Sequence, residues 1–504
     1  MAPFLIGIDN GGTVTKAAVY TVDGRELAVS SRKTVMIMPQ PGHTERDMEE
    51  LWKANVSVIK EVLAKSGIDP KEVAGVAVTG HGNGLYLVDA AGKPVGNGIV
   101  STDTRAKHLV EQWYQDGTAE RVLPKTMQSI WAGQPVALLG WLQANRREAL
   151  EKARWVLMCK DFIRYRLTGE AYAEVTDISG TNLFNIKDVS YDDELLAEFG
   201  LQGIAEKLPP VKYSADICGY VTEQAAKETG LAVGTPVAGG LFDIDASAIA
   251  SGVTDEDKLC VVAGTWSINE YITKEPVVDK ALFMTSIYCI PGYWLTLEGS
   301  PTSASNLEWF TNEFFSQEHD AALKQGISVY ELCNQMVAST KPEDSHIVFF
   351  PFLFGSNVDA NAKACFIGLN GWHTKAHMVR ALYEGVVFGH RQHIDKLLVH
   401  RSRPKAVRLA GGATRSEEWM QMFADVLQLP VEVVEGTEQG TLGASICAGV
   451  ATKHFDSFSQ AAESMVKVSK TYTPQEQHRD IYEQKYQAYL EVLEALQPLW
   501  KKLS

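Results

Sequence analysis

The chain has 504 residues, and 47 basic against 62 acidic side chains give a formal net charge of −15. Hydrophobic residues at 45% and charged residues at 22% are ordinary globular values and exclude a disordered or collagen-like chain. The acidic balance argues against nucleic acid as a partner, yet it admits a small anionic ligand held by backbone amides.

The length suggests about two to four domains. Seven cysteines (Cys159, Cys218, Cys260, Cys289, Cys333, Cys365 and Cys447) are odd in number and widely spread, with no C-x-x-C pair. That pattern points away from a zinc site or disulfide framework and toward a reducing compartment. The opening apolar stretch, which ends at Ile8, is short for a signal peptide and has no basic leader. The longest apolar run, Ile347 to Phe354, is broken by Pro351 and falls far short of the about 18 residues of a membrane span. A soluble cytoplasmic protein is expected, with no membrane partner.

In chain order, Phe4 to Ile8 predicts a buried strand and Lys16 to Tyr20 a second. Asp23-Gly24 is a hairpin turn signal, and Leu27 to Thr34 returns as a third strand. Asp47 is placed to cap a helix to about Lys65, with Leu51, Val58 and Val62 on one face and Gly67 past its end. Val73 to Thr79 is another buried strand, which completes one half of an α/β layered domain. Residues from about 103 to 230 read as a mostly helical insertion. Helices are expected over Pro135–Arg147 and Ala149–Leu167, with Gly169 stopping the second.

A second start follows near Lys258. Leu259 to Ala263, Gly264-Thr265 and Asn269 to Thr273 repeat the plan of strand, Gly12-Thr13, strand. This repeat predicts two related α/β halves with a cleft between them. The boundary falls in the polar stretch Gly252 to Asp257, which gives domains of residues 1–253 and 254–504. Thr473-Pro474-Gln475-Glu476 reads as a capping box before a C-terminal helix over 474–497. That helix would pack Tyr482, Tyr486, Tyr489, Leu490, Leu493 and Leu496 along one face.

Several turns carry residues suited to chemistry. Asp9-Asn10-Gly11-Gly12-Thr13 follows a strand; its glycines let the backbone approach an anion, and Asp9 can hold a metal through water. Thr13 adds a hydroxyl and Lys16 can reach a terminal phosphate. Gly264-Thr265-Trp266-Ser267 is the matching turn of the second half. Either turn is equally a plain hairpin; their pairing favours a nucleotide clamped by amides. Gly411-Gly412-Ala413 lies between a strand and a helix, where amides at a helix start suit a nucleotide. Asp243, in Gly239-Gly240-Leu241-Phe242-Asp243-Ile244-Asp245, is either a general base or a helix cap. His81 and Asn83, in His81-Gly82-Asn83-Gly84, can bond hydroxyls, and Asp103-Thr104-Arg105 is a second polar cluster. Glu438-Gln439-Gly440-Thr441-Leu442-Gly443-Ala444 reads mainly as close helix packing. His373 and His377 have the spacing of a zinc pair but lack a third ligand, and are read as solvated or partly buried.

Taken in this order, the motifs resemble the FGGY carbohydrate kinases, on the actin-like ATPase (ribonuclease H-like) fold. The resemblance rests on Gly7 to Thr13 with Lys16, on Gly239-Gly240 leading to Asp243, and on Gly264-Thr265. It continues through Phe366-Ile367-Gly368-Leu369 with His377 to Glu384, Gly411-Gly412-Ala413 and Gly440 to Ala444. Thr79 to Tyr86, Ser101 to Arg105 and Gly240 to Asp243 look most like the L-xylulose kinase branch. The glutamine-methionine-histidine-glycine form usual in D-xylulose kinases is absent, as is the arginine–glutamate pair of glycerol kinases.

The resemblance implies transfer of the γ-phosphoryl of ATP to a sugar hydroxyl, with Asp243 as base and Mg²⁺ held near Asp9 through water. It implies Gly12, Thr13, Lys16, Gly264 and Thr265 at the phosphates, and Gly411, Gly412 and Ala413 at the adenosine. His81, Asn83 and Asp103, with Asp243, are the implied sugar contacts, and a homodimer is the implied assembly. A kinase of D-xylulose or a polyol such as erythritol, and a non-catalytic sugar or nucleotide sensor, are the alternatives.

Overall fold

The computed structural model describes residues 3–357, 361–436 and 438–503. The chain forms two compact units: Met1–Thr254 with Ile272–Thr296 and Glu438–Val466, and Asp255–Tyr271 with Leu297–Thr437 and Lys467–Ser504.

The first unit is built on β1 (Phe4–Asn10), β2 (Val14–Thr21), β3 (Glu26–Lys33), β4 (Val73–Gly80), β5 (Ile217–Tyr220), β6 (Pro236–Ala238) and β7 (Leu241–Phe242). The strands run in the order β5-β6-β4-β1-β2-β3, with β7 also paired to β4. β1 and β2 form an antiparallel hairpin that pairs Asp9 with Lys16, and β4 lies parallel to β1. Helix α1 (Met48–Ser66) begins where Asp47 accepts the amides of Glu49 and Glu50 and ends at Gly67, whose φ of 66° only glycine adopts cheaply. Its buried face, including Leu51, Val58 and Val62, joins Ile6, Ile8, Ala17 and Val19 in one core. Alternate β1 side chains therefore point into this layer.

Helices α2 (Cys159–Thr168) and α3 (Asp243–Ala250) also belong to this unit. The expected continuous helix over Ala149–Leu167 is interrupted. Residues Trp155–Leu157 form a strand paired with Tyr86–Val88, and the helices Arg147–Lys152 and Cys159–Thr168 flank it. Helical spacing of apolar residues did not reveal this strand because its partner lies about 70 residues upstream; local periodicity carries no such information.

The second sheet carries β8 (Lys258–Ala263), β9 (Ser267–Thr273), β10 (Trp294–Ser300), β11 (Ala406–Ala410), β12 (Val431–Val434) and β13 (Val468–Tyr472), in the order β10-β9-β8-β11-β12-β13, with the strand Met284–Ile287 outside β10 at its edge. β8 is antiparallel to β9 and parallel to β11. The first sheet has the same pattern in β1, β2 and β4, so the repeat of strand, Gly-Thr, strand is a repeat of topology.

Helices α4 (Lys375–Leu398) and α5 (Glu417–Leu427) follow in this unit. His377 accepts the Thr374 amide at 3.1 Å at the start of α4, and His373 accepts the Asn370 amide at 3.0 Å, so both rings serve local caps. Helix α6 (Gln439–Ala451) belongs to the first unit and packs on β1, β4 and α3. Its small residues permit that contact: a Cβ on Gly443 would lie 2.2 Å from the Ala246 carbonyl oxygen.

The last helix, α7 (Arg479–Trp500), buries Tyr482, Tyr486, Tyr489 and Leu493. The capping box expected at Thr473 does not form. The Gln475 amide and the His478 ring instead bond the buried Asp425 of α5 at 2.8 and 2.7 Å, and residues Glu476–His478 make a 3-10 turn before α7. A buried carboxylate outcompetes a local hydroxyl cap because its unmet acceptors would cost more. All seven cysteines are free thiols. Among the described residues no helix is long and apolar enough to cross a membrane.

Candidate active site

Asp9 stands near the end of β1, opposite Lys16 across the hairpin. It is half-buried, and its carboxyl is pushed up to about 6: burial raises it most, Lys16 opposes, and Glu438 adds to the rise. Its place is set by α6. A Cβ on Gly440 would lie 2.5 Å from Asp9 Oδ2, so only glycine lets the helix start beside the carboxylate. Lys16 is less free than its sequence suggests, since its ammonium pairs with Glu438 at 2.6 Å. Thr13 is exposed, and a Cβ on Gly12 would meet nothing within 4 Å, so this part of the turn faces open space.

Asp243 is the first residue of α3. Its carboxyl is pushed up to about 7, first by burial and then by the charge of Asp9, while amides at the helix start oppose the rise. Phe242 holds the N-cap position, with no side-chain cap bond, so Asp243 is not the cap that one sequence reading expected; its carboxylate sits in the field of a second carboxylate. The preceding turn is pinned from beneath. Phe242 donates its amide to Thr176 Oγ1 at 2.9 Å, and that hydroxyl donates to Glu174 Oε2 at 2.7 Å. Arg164, on α2, donates to the Gly239 carbonyl and pairs with Asp161 at 3.0 Å. Sequence reasoning missed Arg164, Glu174 and Thr176; Arg164 and Glu174 carried one signal, a charge among apolar residues, and Thr176 carried none. Asp245 is fully buried and accepts the Cys289 amide at 3.2 Å, which gives it a packing role distinct from that of Asp243.

The segment after β4 combines three behaviours. His81 is buried, its Nε2 lies 3.0 Å from the Tyr86 hydroxyl, and its Nδ1 lies 3.3 Å from the Gly82 carbonyl. Burial first, and Arg46 second, drive its pKa down to about 3, so the ring is neutral and both nitrogens are engaged. Asn83 is 5% exposed at φ 61°, and among the described residues its Oδ1 has no partner. A buried acceptor left unmet in this way is suited to a ligand hydroxyl. Asp103 does not offer free acceptors. It takes hydrogen bonds from the Thr44 amide at 2.6 Å and from the Arg105 amide, Nε and Nη2 at 2.8 to 2.9 Å. Four bonds saturate a carboxylate. Through these bonds Asp103, expected as a sugar contact, braces the first unit.

In the second unit, Gly264 and Thr265 form the β8–β9 turn, with Thr265 exposed. The turn is braced by Ser303 and Ser305, which donate to the Thr265 carbonyl at 2.9 and 3.0 Å. Gly411 follows β11 at φ 98°, and a Cβ there would lie 3.0 Å from the Gly264 amide nitrogen. The fold therefore brings Gly264 and Gly411 together, with Gly412 open to space and Ala413 buried.

The model of the N-terminal domain of the FGGY family of carbohydrate kinases matches residues 4–250, and that of its C-terminal domain matches residues 259–452. The chain belongs to the FGGY family of carbohydrate kinases. A "Probable L-xylulose kinase" of Pasteurella multocida is 39% identical over 497 residues, covering 98% of this chain and 99% of that one. An "L-xylulose/3-keto-L-gulonate kinase" of Escherichia coli is 38% identical over 498 residues, covering 99% and 98%. The crystal structure of a ligand-bound xylulose kinase from Lactobacillus acidophilus superposes with a TM-score of 0.91 at 23% identity over 100% of both chains. That likeness establishes the fold, the actin-like ATPase architecture expected from the motifs. As a carbohydrate kinase of this family, the enzyme uses ATP.

Proposed function

We propose that this kinase transfers the γ-phosphoryl group of ATP to a hydroxyl of a ketopentose, L-xylulose in the first place. Asp243 carries the chemistry: a carboxylate at about pKa 7 beside Asp9 is matched to accept a proton near neutral pH. The sugar O–H gives its proton to Asp243, the oxygen bonds the γ-phosphorus, and the bond to the bridging oxygen breaks to release ADP. Asn83 offers its amide to a sugar hydroxyl, and Gly12, Thr13, Lys16, Gly264 and Thr265 serve the phosphates. Gly411, Gly412 and Ala413 serve the adenosine.

Mg²⁺ fits the residues present, because Asp9 and Asp243 interact as two half-buried carboxylates whose mutual repulsion a hard cation relieves. Asp9 would hold it through water, and it would neutralise charge on the phosphate oxygens. The choice of sugar is supported by the likeness to proteins named as L-xylulose kinases at 35–39% identity. Free buried thiols support a reducing, cytoplasmic setting.

The test is ADP release with L-xylulose, D-xylulose, 3-keto-L-gulonate and erythritol. L-Xylulose should give the highest kcat/KM, because a pocket that bonds particular hydroxyls rejects isomers that leave its groups unpaired. A higher value with erythritol would remove the ketopentose assignment and keep the kinase. Tight sugar binding without turnover on any of them would favour a sensor.

A further inference from the structure

The two-residue strand Glu45–Arg46 carries a buried cation to which the reading above gives no task. Arg46 is 1% exposed. Its Nη2 donates to the Gly12 carbonyl, and both Nη atoms reach the Gly11 carbonyl at 3.4 Å. Among the described residues it has no carboxylate partner. Neighbouring Glu45 is committed to Arg105 at 2.8 Å and to Asn97 at 3.0 Å. The Asp103–Arg105 pair holds this strand from the side, through the Thr44 amide and Glu45.

Peptide planarity turns this contact into a direction. In a trans peptide the C=O and N–H point opposite ways. The carbonyls of Gly11 and Gly12 aim at the guanidinium, so the N–H groups of Gly12 and Thr13, in the same two peptide planes, aim away from it. They aim toward the side on which Thr13 is exposed and Gly12 has open space. Two successive amides backed by a buried positive charge form a concavity for an anion.

We propose that Arg46 is a positioning residue for the phosphoryl group: it turns two carbonyls inward, presents the amides of Gly12 and Thr13 to anionic oxygens, and sets a fixed charge behind them. The inference rests on the reading above in taking that anion to be a phosphate of ATP. A lysine is a poor substitute, since a point charge cannot bridge two carbonyls as a planar fork does. A buried cation without a carboxylate is costly while the turn is empty, and a bound anion offsets that cost.

The experiment compares the full-length wild type with Arg46→Gln and Arg46→Lys by steady-state kinetics and by calorimetric binding of ATP with Mg²⁺ and of adenosine. In Arg46→Gln, kcat is expected to fall by about 10². ATP binding should weaken about tenfold, with adenosine affinity and the sugar KM nearly unchanged. Arg46→Lys should fall between, and decides the matter if Arg46→Gln does not fold. Unchanged kcat and ATP affinity in a folded variant would overturn the proposal, as would an equal loss of ATP and adenosine binding. A wild type that binds ATP but phosphorylates no sugar would overturn the proposed function instead, and the contrast between ATP and adenosine would still judge Arg46.

Discussion

The ring of Phe242 occupies the space that Gly82 leaves by having no side chain: a Cβ on Gly82 would lie 2.0 Å from Phe242 Cε2. The next residues along the two segments are Asp243 and Asn83. The proposed base and the proposed sugar contact are thus set against each other by one glycine–aromatic contact within the first unit. Gly82→Ala is expected to lower Tm, because overpacking costs about 1–3 kcal/mol. It should also lower kcat, since the ring can yield only by moving the turn that leads into Asp243. Gly82→Ala combined with Phe242→Leu should recover part of both losses, as contacting positions couple. A single variant with wild-type Tm and kcat would show that the contact does not set the turn.

Asn83 occupies the left-handed region at φ 61°, so alanine there adds backbone strain to the loss of the amide. Asn83→Gly separates the two effects. It is expected to keep Tm within a few degrees and to raise the sugar KM about tenfold or more, the value of a lost hydrogen bond of roughly 1–1.5 kcal/mol. ATP affinity should barely move. Weakened ATP binding with normal sugar kinetics would place this segment at the nucleotide.

Asp243→Asn keeps size and shape and removes the proton acceptor. We expect kcat to fall by about 10²–10⁴ while calorimetric binding of ATP and sugar changes little. Asp245→Asn is the control: its carbonyl oxygen can still accept the Cys289 amide that Asp245 Oδ1 accepts at 3.2 Å. Equal loss of kcat in the two variants, both folded, would remove the assignment of the base.

The raised carboxyls give a pH signature in activity and in stability. With Asp243 at about 7, the proton-accepting form is lost as pH falls through that value, so kcat/KM should decline on the acid side of about 7. For stability the sign is opposite to the usual salt-bridged aspartate. Asp9 at about 6 and Asp243 at about 7 hold protons that the unfolded chain releases near pH 4. The contribution of these two groups to the stability of the folded, ligand-free protein therefore falls as pH rises from about 4 through about 7 and levels off above. Asp243→Asn should melt above the wild type at about pH 8, and the gap should close near pH 4. A gap of the same size at both values would refute this account.

Much of the framework was legible because its signals are local. The cap at Asp47, the stop at Gly67, the apolar runs of β1, β2 and β4 and the repeated Gly-Thr turns each depend on residues within one turn or strand of each other. The candidate site was legible as a set of residue types: Asp9, Asp243 and Asn83 each stand at or within a few residues of a strand end. The Thr473 cap and the helix over Ala149–Leu167 failed for one shared reason, a distant partner that satisfied the backbone differently.

By itself the sequence determined the residue types, the strands around the two Gly-Thr turns and the family, since strand runs and ordered motifs are properties of the chain. Which acceptors remain open was decided by tertiary structure alone. Asp103 and Asn83 look equally polar in sequence, yet Asp103 accepts four hydrogen bonds from Arg105 and Thr44 while the Asn83 oxygen has no partner among the described residues. Arg46 gave no local sign of a task; the fold aims it at Gly11 and Gly12. The physical reason is that a hydrogen-bonding group's availability depends on every donor and acceptor within reach, and in a folded chain those neighbours come from segments far apart in sequence.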